Sequence, residues 1–145
     1  MNSKLSLILL LILFSLNGIA QKADDILGVW YNEEKDGKIE VFKKNGKYHG
    51  KIIWIKDNTN DDGSSPRIDV NNPDPMLAKR TIVGTLILHD LIWDDYEWDE
   101  GEIYDPKSGK TYSCYAKLES KNELFVKGFV GFAVIGRSTI WTRAN

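Results

Sequence analysis

A single cysteine, Cys114, and four prolines stand in 145 residues. One cysteine forms no intrachain disulfide, so the fold must rest on its core. Two scattered histidines, His49 and His89, with one thiol make neither a zinc set nor a Cys–His dyad. No G-x-S-x-G, P-loop or dinucleotide-binding string occurs. Neither sign of charge is in excess: 19 basic against 21 acidic residues give a net charge of −2. That balance argues against a nucleic-acid partner, which would normally demand a basic surplus. Disorder is excluded by a chain that is 42% hydrophobic and 11% aromatic.

The one long apolar run lies at the start. Lys4 follows a short polar beginning, and Leu5 to Leu16 is apolar except for Ser6 and Ser15. Gly18-Ile19-Ala20 then sets small residues at the −3 and −1 positions before Gln21. This is the three-part pattern of an export signal. The run is shorter than the roughly 20 residues a spanning helix needs, so no membrane span is expected once the signal is removed. The expectation is a signal peptide over 1–20, one β domain over 21–145, and a periplasmic or secreted location.

After Gln21 the hydrophobic period is two rather than 3.6. Tyr48, Gly50, Ile52 and Trp54 fall on one face, with Lys47, His49 and Lys51 on the other. Tyr112, Cys114, Ala116 and Leu118 alternate in the same way. Turn formers divide these runs: Asp36-Gly37, Asn45-Gly46, Asp105-Pro106-Lys107-Ser108-Gly109 and Ser120-Lys121-Asn122. The pattern predicts eight strands, at 28–33, 38–43, 47–56, 81–88, 96–104, 110–118, 123–130 and 138–143. One long connection, Asp57 to Arg80, interrupts them. Short sequential links favour an all-β, eight-stranded antiparallel up-and-down barrel with one long loop.

Gly28-Val29-Trp30 at the first strand and Trp141-Thr142-Arg143 at the last resemble the lipocalin and wider calycin pattern. That resemblance implies barrel closure by Trp30 and Arg143, with a guanidinium stacked on an indole. Further strings run through the chain: Gly50-Lys51-Ile52, Asn72-Pro73-Asp74-Pro75, Gly101-Glu102-Ile103-Tyr104-Asp105-Pro106, Gly109-Lys110-Thr111-Tyr112, Lys127-Gly128-Phe129-Val130-Gly131 and Gly136-Arg137. In this order and spacing the chain resembles the exported bacterial domain-of-unknown-function 2147 family. The resemblance implies a lipocalin-like barrel and no particular activity.

The loop Asp57–Pro75 approximates an EF-hand, with oxygen side chains at Asn58, Asn60 and Asp62, Gly63, and then Asp69. Asn replaces the first Asp, Asp69 replaces the bidentate Glu, and Pro66 interrupts. The plainer reading is a solvated loop of turn formers, with calcium as the alternative and no other cofactor expected. The stretch Trp93 to Glu100 collects carboxylates beside aromatics. Glu97 and Asp99 share a face opposite Tyr96 and Trp98, the pattern of a wet outer face rather than a hydrolytic pair. Cys114 shares its face with Tyr112 and Ala116, which predicts an inert core thiol.

Three functional readings stand, in this order. The first is a non-enzymatic binding protein for a small apolar or amphipathic ligand. It would use inward side chains of the middle strands, Tyr48, Trp54, Leu86 and Tyr112, with Arg80 as a polar anchor at the mouth. The second is a structural or interaction module of the envelope with a filled barrel, using the 57–80 loop on a protein or glycan. The third is an enzyme, for which the sequence offers no catalytic set.

Overall fold

The computed structural model describes residues 21–131 and 136–145; the signal expected over 1–20 lies outside them. Strands β1 (Gly28–Tyr31), β2 (Gly37–Lys44), β3 (Lys47–Ile55) and β4 (Leu86–Trp93) form the first half of the sheet. Strands β5 (Trp98–Asp105), β6 (Lys110–Ser120), β7 (Glu123–Phe129) and β8 (Gly136–Arg143) form the second. Each pairs antiparallel with its sequence neighbour, and β8 returns to β1 through Trp30↔Arg143 and Tyr31↔Thr142. The predicted eight-stranded up-and-down barrel is therefore the observed one, with the closed, lipocalin-like calycin architecture.

Local chemistry sets the hairpins. Asn45 and Gly46 both take positive φ, 51° and 76°, between the paired Lys44 and Lys47. That is the two-residue turn whose twist matches the flanking strands. At the β1–β2 corner the Asn32 side-chain oxygen accepts the N–H groups of Asp36 and Gly37. In the β5–β6 turn Asp105 accepts the Lys107 N–H and the Ser108 hydroxyl.

One predicted strand is displaced. The sequence reading placed β4 at 81–88, whereas the strand runs from Leu86 to Trp93. Residues 81–85 form a turn instead: the Thr85 hydroxyl donates to the Thr81 carbonyl, and Gly84 sits at φ 95°. Backbone bonds between Ile52 and both Gly84 and Thr85 pin this turn to β3. Further on, Asp90 at φ 57° bulges the strand, so buried Leu88 is followed by buried Leu91. The inward spacing is three there rather than two, which hid the strand from a period-2 reading.

The core divides along the barrel axis. At one end Trp30, Tyr48, Leu91, Trp98, Leu118 and Leu124 are buried under the short 3₁₀ helix Ala23–Ile26. The Trp30 indole N–H donates to the Ile26 carbonyl and the Trp98 indole N–H to the Ala23 carbonyl, 2.9 and 3.0 Å. The helix thus acts as a plug whose carbonyls satisfy two buried indoles, without which each would cost about 1–3 kcal/mol. Tyr48 meets Trp98 edge-on at 6.4 Å and its hydroxyl donates to Asp24.

Candidate functional site

At the closed end the Arg143 guanidinium lies 4.1 Å from the Trp30 ring centroid. Its nitrogens donate to the carbonyls of Leu27, Asp25 and Lys121 at 2.9, 2.9 and 3.1 Å. One planar cation therefore stacks on the indole and ties the N-terminal plug to the β6–β7 turn. Gly28 makes room for it. A Cβ there would stand 2.9 Å from Arg143 Nη1, and its φ of 125° disfavours any side chain.

The long loop is held by a buried carboxylate. Asp69 is fully buried and accepts from Tyr104 Oη at 2.7 Å, Asn72 Nδ2 at 3.0 Å and the Arg80 guanidinium at 3.0 Å. Burial, and then the hydrogen bond to Asp69, push the Tyr104 hydroxyl up to about 12. The Arg80 guanidinium also lies 5.4 Å from the Tyr104 ring. Nearby, Asn71 Nδ2 donates to the Lys107 carbonyl at 3.0 Å, docking the loop on the β5–β6 turn. This explains why Asn71-Asn72, Tyr104 and Gly109 belong to one pattern: they meet in space.

The same geometry corrects the calcium alternative. Asp69 faces Arg80 and Tyr104 rather than the loop centre. The Asn58 oxygen accepts the Arg67 N–H, the Asn60 oxygen accepts the Ile68 N–H, and Asp62 accepts the Ser64 N–H and hydroxyl. Asn58, Asn60 and Asp62 thus satisfy the loop's own polar groups, and Asp69 ties the loop to β5.

The opposite end is open. A cavity of about 1750 Å³ extends from the rim into the barrel. Its inner wall is apolar, with Ile52, Ile87, Ile103, Tyr112, Val126 and Trp141 among its residues. Its rim is polar, formed by the β1–β2 corner, the 57–71 stretch, the β5–β6 turn and the start of β8. Of the five predicted ligand contacts, Tyr112 lines this cavity. The other four need correction. Tyr48 is buried at the closed end against Trp98. Trp54 is 39% exposed and packs edge-on against Tyr31, because the β2–β3 register shift at Lys38/Ile39 turns it outward. Arg80 is tied to Asp69, and Leu86 is half-buried at the start of the displaced β4. Sequence reasoning missed Ile103, Thr139 and Trp141, which also line the cavity. Their period-2 placement on β5 and β8 was the available signal.

Cys114 is buried, and desolvation followed by the charges of Asp99 and Glu102 pushes its thiol up to about 12, as befits a core residue. Asp94, Glu97 and Asp99 bring carboxylate oxygens within 4.8 Å of one another. Burial, then repulsion from Asp94 and Asp99, raises the Glu97 pKa. Asp94 itself caps the β4–β5 turn by accepting the N–H groups of Tyr96 and Glu97. Among the described residues no helix is long and apolar enough to cross a membrane.

A closed eight-stranded barrel, plugged at one end and open at the other, is a lipocalin-like calycin fold, an architecture typical of small-molecule binding proteins. The chain belongs to the family described as uncharacterized protein conserved in bacteria (DUF2147), which matches residues 28–143. It is similar in structure to protein HP1028 of the human pathogen Helicobacter pylori, described as belonging to the lipocalin family. The two share 26% sequence identity over 83% of each chain, with a TM-score of 0.71. No curated protein matches the chain.

Proposed function

We propose that this is an exported, non-enzymatic binding protein that holds a small apolar or amphipathic molecule in the open half of its barrel. The observation that carries the reading is the cavity of about 1750 Å³. Ligand sites usually occupy about 300–1,000 Å³, and this space, continuous with the open rim, exceeds that range. Its aliphatic and aromatic wall supplies the apolar surface that drives binding. The envelope module with a filled barrel accounts for the packed end but not for this space. Export rests on the signal pattern of residues 1–20, which places the mature start at Gln21.

Native mass spectrometry of protein purified from the envelope fraction of its host tests both parts. The expected spectrum shows a chain beginning at Gln21 and a non-covalent mass lost on solvent extraction. An intact Met1 start would defeat export. A bare chain that also fails to take up a hydrophobic dye would defeat the binding role.

A further inference from the structure

The rim of the cavity carries six carboxylates, Glu34, Asp36, Asp57, Asp61, Asp62 and Asp105, against four cations. Three of those cations are already paired. Arg67 lies 3.9 and 3.8 Å from Asp57 and Asp61, Lys107 is 3.8 Å from Asp36, and Arg137 is 3.3 Å from Glu34. Among the described rim residues, Lys56 is the one cation outside an ion pair, whereas Asp62 and Asp105 accept only from N–H and O–H groups. The remaining guanidinium near this end, Arg80, is held by buried Asp69.

An amphiphile seated tail-first places its head group at this rim. A carboxylate or phosphate head would find paired arginines, one lone lysine and surplus negative charge, and would lose hydration without a free fork-shaped partner. An ammonium head would find two carboxylates outside any ion pair, Asp62 and Asp105, in a mouth whose summed charge is negative. Resting on the binding role proposed above, we infer that the cavity selects amphiphiles with a cationic amine head over those with an anionic head.

The test uses a neutral fluorescent dye, N-phenyl-1-naphthylamine, bound to the whole mature chain and displaced by dodecylamine, 1-dodecanol or dodecanoate. At low ionic strength dodecylamine is expected to compete at least about threefold more tightly than dodecanoate, with the gap narrowing as salt rises. The paired variant Asp57→Asn/Asp61→Asn keeps the loop's hydrogen-bond acceptors while freeing Arg67. It is expected to tighten dodecanoate and weaken dodecylamine. Equal or tighter binding of dodecanoate by the wild type, with the dye bound normally, overturns the head-group selection and leaves the binding role standing. Failure of the dye and of all three dodecyl compounds to bind overturns both.

Discussion

Single side chains decide whether each end of this barrel is closed or anchored. Arg143 stacks on Trp30 and donates to the carbonyls of Leu27, Asp25 and Lys121. Arg143→Ala is therefore expected to cost about 1–3 kcal/mol in urea unfolding. Arg143→Lys should recover less than half of that, because a point charge cannot stack and fork at once. Equal stability of all three proteins would remove the plug from the account. Tyr104 gives a second test, in alkali. Its hydroxyl is pushed up to about 12 in the folded chain, against about 10 when unfolded. The folded protein then holds this proton more tightly. The Tyr104 contribution is intact below pH 10 and is lost as pH climbs from 10 towards 12, by about 1–2 kcal/mol. Wild type should exceed Tyr104→Phe in stability at pH 8, and the margin should shrink by that amount near pH 12. Cys114 titrates in the same range, but it is common to both proteins and cancels. A margin that stays constant with pH would contradict the assignment.

Among the elements, hairpins written by strong turn chemistry were legible and bulged ones were not. Asn45-Gly46 placed β2 and β3 to within a residue or two, because positive φ at both positions leaves the chain few alternatives. β4 lies five residues beyond the expected 81–88 because its two register shifts against β3 break the period-two alternation. The same limit applies to the site. Tyr112 was identified from its face, but a bulge elsewhere sent Trp54 outside. Arg80 is expected as a polar anchor at the mouth, but its partner, Asp69, eleven residues away and buried by tertiary packing, is not visible from the sequence. The loop's docking makes a prediction of its own. Gly109 has φ 70°, and a Cβ there would fall 1.9 Å from the Asn71 carbonyl oxygen. Gly109→Ala should lift the 57–80 loop, cost about 1–3 kcal/mol and open that segment to limited proteolysis. Gly46→Ala is the control: it has a similar φ of 76°, but its Cβ meets open space. It should lose stability from backbone strain without new cleavage in the loop. Cleavage in both variants, or in neither, would show that the Asn71 contact does not hold the loop.

At the scale of the whole molecule, the packed plug and the open cavity lie at opposite ends of one barrel, and the proposed binding role belongs to the open end. The plug buries indoles and satisfies their N–H groups, while the open half keeps an apolar wall with space inside it. Thr139 lies on β8, opposite Val126 of β7 and along the cavity. Trp suits a strand and would fill the space that a ligand needs, so Thr139→Trp should abolish uptake of N-phenyl-1-naphthylamine while the circular dichroism spectrum stays β-rich. Arg143→Ala should do the reverse, lowering the urea midpoint while the folded protein still binds the dye. Thr139 and Arg143 share β8 but contact different groups, and substitutions at independent sites add to within about 0.5 kcal/mol. The unfolding free energy of the double variant should therefore equal the combined single losses within that margin. A coupling well beyond it would mean that β8 transmits strain from plug to cavity, and the two ends would have to be treated as one cooperative unit.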